Sequence, residues 1–266
     1  MRIVLTVLLF LAAAAFPAAI TEISLPLRSR VELYKGSGDW RETRLSQPLP
    51  LDRTAVVICD MWDKHWCRGA TERAGKMVDR FNAVLGKLRE RNVLIIHAPS
   101  ETMEFYKEAP QRLAILGMPK APPPTALNLA DPELPVDSAR GGCDTGDKNY
   151  KAWSRQHPAL VIGPRDLISD KGDEVYSALK LRGVTHLLVM GVHTNMCILN
   201  RTFAIKQMTK WGMRCILIRD LTDAMYDPND KPYVSHQAGT DLVIEHIEKH
   251  WAPTTTSAEL LGALGK

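Results

Sequence analysis

Apolar residues in this chain follow two patterns that alternate. Thr54-Ala55-Val56-Val57-Ile58-Cys59 is a continuous apolar run that ends at Asp60. Such a run predicts a strand buried on both faces, and hence a parallel sheet. In residues 70–92 the apolar positions Ala74, Met77, Val78, Phe81, Val84, Leu85 and Leu88 recur at helical spacing. Val93 to His97 predicts the next strand, and residues 101–118 a helix broken at Pro110. Ala159 to Ile162 reads as a strand, Asp173 to Arg182 as a helix stopped at Gly183, and Leu187 to Val192 as a strand. Asn195 to Trp211 predicts one helix, Arg214 to Arg219 a strand, Ser235 to Trp251 a helix, and Thr254 to Thr256 a short last strand. The alternation argues a three-layer α/β/α fold around a doubly wound, mostly parallel sheet.

Two segments interrupt this order. Residues 20–53 carry short β-like stretches, Val31 to Tyr34 and Trp40 to Arg44, and a Pro48-Leu49-Pro50 linker. They predict an arm or small hairpin packed on a main domain of residues 54–256. Residues 119–158 are rich in Pro, Gly and Asp without periodicity, which predicts a long loop insertion. Ahead of the arm, Arg2 precedes an apolar run from Ile3 to Phe16 and then Pro17-Ala18-Ala19. That order reads as a signal peptide over residues 1–19, and predicts a secreted or periplasmic protein. The run is short of the about 20 residues a span needs, so no stable membrane span is expected after cleavage.

Composition narrows the partners. The 266 residues suit one large α/β domain. A net charge of +4, with basic and acidic residues interleaved, offers no nucleic-acid footprint. Symmetric homo-oligomers are common among soluble proteins, so self-association is carried forward as an expectation. Five cysteines are too few for a disulfide scaffold, and their odd number leaves at least one thiol unpaired within a monomer. Cys59 and Cys215 fall within predicted strands, as buried hydrophobes. Cys67 and Cys143 fall in loops, free either to pair or to face a site.

The chemistry gathers at strand ends. In a sheet of this type ligands bind beyond the carboxyl ends of the strands, and Asp60, His97, Cys197 and Asp220 all fall there. Gly191-Val192-His193-Thr194-Asn195-Met196-Cys197 leads from a strand through a tight turn into a helix. A thiol in a first helical turn meets unpaired N–H groups and the positive end of the dipole, which predicts a lowered pKa and a place for an oxyanion. The ordinary reading of a lone helix-start cysteine is packing; Asp60 on the same sheet edge favours a nucleophile. Trp62 and Trp66 fit either a pocket wall or the core, and Trp62 with His97 are the candidates for substrate contact. His97, His193 and His236 match no compact ligand spacing, so no metal or other cofactor is expected.

The strand ending in Asp60, the turn ending in Cys197 and the strand reaching Asp220 together resemble the isochorismatase-like cysteine hydrolases, which include nicotinamidases and other amidases. The resemblance implies Asp60 as general base and Cys197 as nucleophile. It also implies a cis peptide at Val192–His193, with the backbone N–H groups of His193 and Cys197 forming an oxyanion hole. The family Lys is missing: after Ala159 to Ile162 the chain reads Gly163-Pro164-Arg165, which makes Arg165 the candidate cation, with Lys64 and His65 as alternatives. His97-Ala98-Pro99-Ser100 replaces the Asp-x-His pair of nicotinamidases, so their metal site is not expected. Two functions follow: hydrolysis of an amide, ester or vinyl ether of a small molecule through a thioester on Cys197, or small-molecule binding by a non-catalytic member lacking the Lys. A redox protein is disfavoured by the absence of a C-x-x-C pair.

Overall fold

A computed structural model describes residues 21–265. The expected signal peptide lies outside the described residues. The first strands are β1 (Glu22–Glu32) and β2 (Trp40–Pro50), followed by β3 (Thr54–Cys59), α1 (Arg68–Glu90), β4 (Leu94–Ala98) and α2 (Pro110–Leu116). After the loop insertion come β5 (Leu167–Ile168), α3 (Gly172–Leu181), β6 (His186–Val192), α4 (Cys197–Asn200) and α5 (Ile205–Lys210). The chain closes with β7 (Arg214–Asp223), α6 (His236–His250), β8 (Thr254–Thr255) and α7 (Ser257–Leu264).

One eight-stranded sheet runs in the order β2-β1-β8-β7-β6-β3-β4-β5. Strands β3 to β8 are parallel to one another, while β1 is antiparallel to β2 and to β8. The two faces of the sheet explain the continuous apolar runs. Val56, Ile58, Leu188 and Met190 pack with Phe81 and Leu85 of α1 and Leu260 of α7. Ala55, Val57, Leu187 and Val189 pack on the other face with Val175 and Leu179 of α3, Met208 of α5 and Val243 of α6. Among the described residues no helix is long and apolar enough to cross a membrane.

Three expectations about elements need correcting. Of the helix expected over residues 101–118, only Pro110–Leu116 is helical, and residues 101–109 hold turns. Ala159 to Ile162 is not a strand; the short β5 falls later, at Leu167–Ile168. Leu160 is buried against the α1 side of the core while Val161 is half exposed, so this apolar run covers the core without joining the sheet. The expected helix from Asn195 to Trp211 is two short helices, broken between Asn200 and Ile205. The break lets Phe203 and Ala204 bury fully and lets Arg201 leave the helix in an extended conformation.

The insertion at 119–158 contains no helix, and pairs with the rest only through one bridge between Gln156 and Trp62. It is a strap held by individual ties. Leu127 N–H donates to Lys210 O, and Asp137 N–H to Lys231 O. Cys143 forms a disulfide with Cys67, at a Cα separation of 5.6 Å. His157 N–H donates to Met61 O, just past β3.

Candidate active site

Asp60 follows β3 in a left-handed conformation, with φ of 47°, which is uncommon away from glycine and is characteristic of functional positions. Its side chain is fully buried. Oδ1 accepts from the Ser100 N–H at 2.7 Å, and Oδ2 accepts from Arg201 Nε at 2.9 Å. The Cys197 thiol interacts with the same carboxylate and with the backbone N–H of His193. Strand β6 delivers the thiol. Gly191 adopts φ of 127° where a Cβ would lie 1.9 Å from Cys59 O, so only glycine lets β6 pass β3 this closely. The Val192–His193 peptide is cis. Among the described residues, no oxygen acceptor receives the backbone N–H of His193 or of Cys197. Neither N–H is taken up by an oxygen, so both remain able to turn to an oxyanion beside the sulfur, as an oxyanion hole requires.

The turn is braced from behind. Asn195 exchanges hydrogen bonds with the backbone of Met225, Nδ2 donating to its carbonyl at 2.9 Å and Oδ1 accepting from its N–H at 2.8 Å. Thr194 N–H and the ring of His193 both reach the carbonyl of Asp223. The Asp223 carboxylate in turn holds Arg73 Nε at 3.0 Å and His236 Nε2 at 2.8 Å. Arg73 also reaches Asp144 of the strap at 2.6 Å, so the strap and the Gly191–Cys197 turn are linked through Asp223 in one polar network.

The thiol does not have the lowered pKa expected of a helix start. Burial pushes it well above the ordinary thiol range, and the Asp60 carboxylate pushes it further. Helix α4 spans only four residues and carries little dipole to oppose them. Burial likewise raises the Asp60 carboxyl, against the pull of Arg201. Burial thus favours the neutral form of both the thiol and the carboxyl relative to the free groups, with Arg201 opposing it at each.

Arg165 does not supply the cation. Its guanidinium donates to Asn92 Oδ1 at 2.8 Å in an exposed position, and Asn92 precedes β4 at the amino edge of the sheet. Asp60 lies at the opposite, carboxyl edge. The group beside Asp60 is Arg201, which the sequence reading missed. Its signal was the spacing: a residue four after Cys197 lies one turn along on the same side. Lys64 sits over the Tyr150 ring, away from the carboxylate. His97 also needs correcting as a substrate contact. It is fully buried, with Nδ1 on Gln156 Oε1 at 2.8 Å and Nε2 on Asp166 Oδ2 at 2.9 Å, so neither nitrogen is free. It anchors the strap instead.

Trp62 is buried and is joined to Asp60 through Ser100. Its ring stacks on Trp153 of the strap at 4.3 Å, and its Nε1 donates to Ser100 O at 3.0 Å. His65 stacks on Trp153 at 5.7 Å and meets His193 edge-on at 4.9 Å. Burial pushes His65 down to about 3 and His193 to about 4, so both rings are neutral near pH 7. Trp66 packs beside Met196 and the disulfide. Asp220 is not part of the cluster; it accepts from the Ser257 N–H at the start of α7.

Residues 54–259 match the profile of the isochorismatase domain. The chain belongs to the isochorismatase family. The fold agrees with this assignment. A cysteine hydrolase from Pseudomonas syringae pv. phaseolicola 1448A superposes with a TM-score of 0.54 at 18% identity, over 82% of this chain and 95% of that one. A putative isochorismatase from Burkholderia xenovorans LB400 gives 0.50 at 13%, over 80% and 88%. A search of curated proteins finds no match. Within this isochorismatase-family chain, an arginine from the turn after the cysteine lies beside the aspartate.

Proposed function

We propose that this chain is a cysteine hydrolase that cleaves an amide bond of a small molecule, using Cys197, Asp60 and Arg201. The observation that carries the reading is the buried Asp60 carboxylate held between Arg201 Nε and the Cys197 thiol. A fully buried carboxylate beside a thiol is costly to maintain for packing alone.

In the proposed reaction Asp60 takes the proton of Cys197 as sulfur attacks the substrate carbonyl carbon. The carbonyl π pair moves to oxygen, which is received by the N–H groups of His193 and Cys197. The tetrahedral adduct collapses, the C–N bond breaks, and the leaving nitrogen takes the proton from Asp60. Water then gives a proton to Asp60 and attacks the thioester, releasing the acid and restoring the thiol. Arg201 keeps its charge throughout, since a guanidinium does not deprotonate, and it offsets the negative charge shared by Asp60 and the thiolate. His193 Nε2 is buried without a partner among the described residues, and we assign it to a polar group of the bound substrate. We further propose export to an oxidising compartment, which the Cys67–Cys143 disulfide supports.

The test is ammonia or amine release from a panel of small primary and secondary amides, with wild type and Cys197→Ala side by side. Release by wild type alone supports the reading. Equal release by both proteins rejects the thiol mechanism, and ligand binding without release by either favours a non-catalytic binder.

A further inference from the structure

The outer edge of the sheet carries an inference independent of the chemistry. Strand β2 is the outermost strand and runs for 11 residues. Its hydrogen-bonding phase is fixed at both ends: Leu33 N–H donates to Asp39 O, and Leu51 N–H to Thr21 O. Hydrogen-bonded and non-hydrogen-bonded pairs alternate along an antiparallel ladder. In the observed register, Glu22↔Pro50 through Glu32↔Trp40, the odd-numbered residues of β2 therefore bond to β1. Trp40, Glu42, Arg44 and Ser46 turn their N–H and C=O groups away from it. Pro26, Pro48 and Pro50, which lack an N–H, all fall on even positions, as this phase allows. Among the described residues nothing accepts the outward N–H groups.

An open edge of this length is a template for another strand. Charges and prolines often protect such edges, but a protecting row of one sign would repel every copy. Here the order Arg41-Glu42-Thr43-Arg44 is self-complementary in one register. A two-fold at Glu42 or at Arg44 sets like charges opposite each other. A two-fold at Thr43 sets Glu42 opposite the second copy's Arg44, and Arg44 opposite its Glu42, and in that register the outward N–H and C=O groups of both pairs meet. Arg44 faces Arg28 across the ladder and, among the described residues, has only Glu42, at 2.9 Å, as an acid partner, so a second carboxylate relieves it. The same register lays Leu45, 65% exposed, beside the aliphatic stem of the second copy's Arg41.

We propose that β2 pairs antiparallel with β2 of a second copy of this chain, about a two-fold at Thr43, joining two eight-stranded sheets through their exposed edges. Sedimentation of the purified protein over a range of concentrations tests it. Wild type sediments as a dimer. Glu42→Arg and Arg44→Glu each set two like-charge pairs across the two-fold and weaken dimerisation by about tenfold or more. An equimolar mixture of the two variants regains dimer, because both cross-strand pairs are then opposite in sign. Thr43→Cys gives a disulfide-linked dimer on mild oxidation, since Cα atoms in a non-hydrogen-bonded pair lie roughly 4.5 Å apart. Gln47→Cys does not. Circular dichroism of each variant verifies folding. A monomeric wild type, charge-reversed variants that dimerise as wild type does, or a mixture that fails to regain dimer would each overturn the proposal.

Discussion

The carboxyl edge of the sheet and the strap of residues 119–158 meet around the turn that carries Cys197, and they are held in contrasting ways. Strand β3 is buried at every residue, and β6 at all but its first, so Asp60 and Cys197 are placed by cores on both faces. The strap has almost no ladder and is placed by separate ties: the disulfide, Arg73 on Asp144, Gln156 on His97, and Trp153 on Trp62. The difference teaches where each kind of damage should appear. Substitutions among the charged groups on the sheet edge should remove chemistry, and loss of a strap tie should remove stability first.

The sharpest way to break the contrast is Cys197→Ala. Turnover of any substrate found should fall by roughly a million-fold, or to background, with the melting temperature close to wild type. A large loss of stability would place the thiol among the packing residues. Arg201→Met should lower kcat/KM by about 10²–10³-fold, as removal of one preorganised charge-stabilising donor does, and Arg201→Lys should recover part of it. Arg165→Met should leave kinetics unchanged, and an equal effect at both positions would contradict the placement of the cation.

On the strap side, Cys143→Ser should lower unfolding free energy by about 2–4 kcal/mol in urea titrations, because the bridge closes a loop with a sequence separation of 76. A smaller effect is expected from acid. Burial alone would raise the Asp166 carboxyl, but His97, Arg89 and the Gly163 N–H hold it at about 2. Its folded pKa lies below the unfolded value, so the stabilisation is present above about pH 4 and is lost as pH falls towards 2, amounting to about 2 kcal/mol. Asp166→Asn should flatten that part of the pH–stability curve.

The same contrast explains what the sequence made legible. Local pattern revealed β3, β4, β6 and α1, because each buries its own repeating face, and it placed Asp60 and Cys197 at strand ends. The hairpin of residues 20–53 was legible as an arm; that its strands extend the main sheet was not, since this rests on the pairing of Arg28 with Thr254. Leu160 misled as a strand because burial in a crossing segment looks like burial in a sheet. Arg201 was signalled only by its place four residues after Cys197; its contact with a carboxylate 141 positions away leaves no trace in local pattern. The ties of His97 to Gln156 and of Arg73 to Asp144 join residues 59 and 71 positions apart and leave no periodic trace.

The most direct measurement is the pH dependence of Cys197 alkylation by iodoacetamide, followed by mass spectrometry in wild type and Asp60→Asn, and it requires no substrate. In wild type, burial and the neighbouring carboxylate should place the rise in rate above that of an ordinary thiol, about 8.5. In Asp60→Asn the negative neighbour is gone while Arg201 stays, so the rise should move to lower pH. Coincident profiles in the two proteins would contradict an Asp60–Cys197–Arg201 cluster.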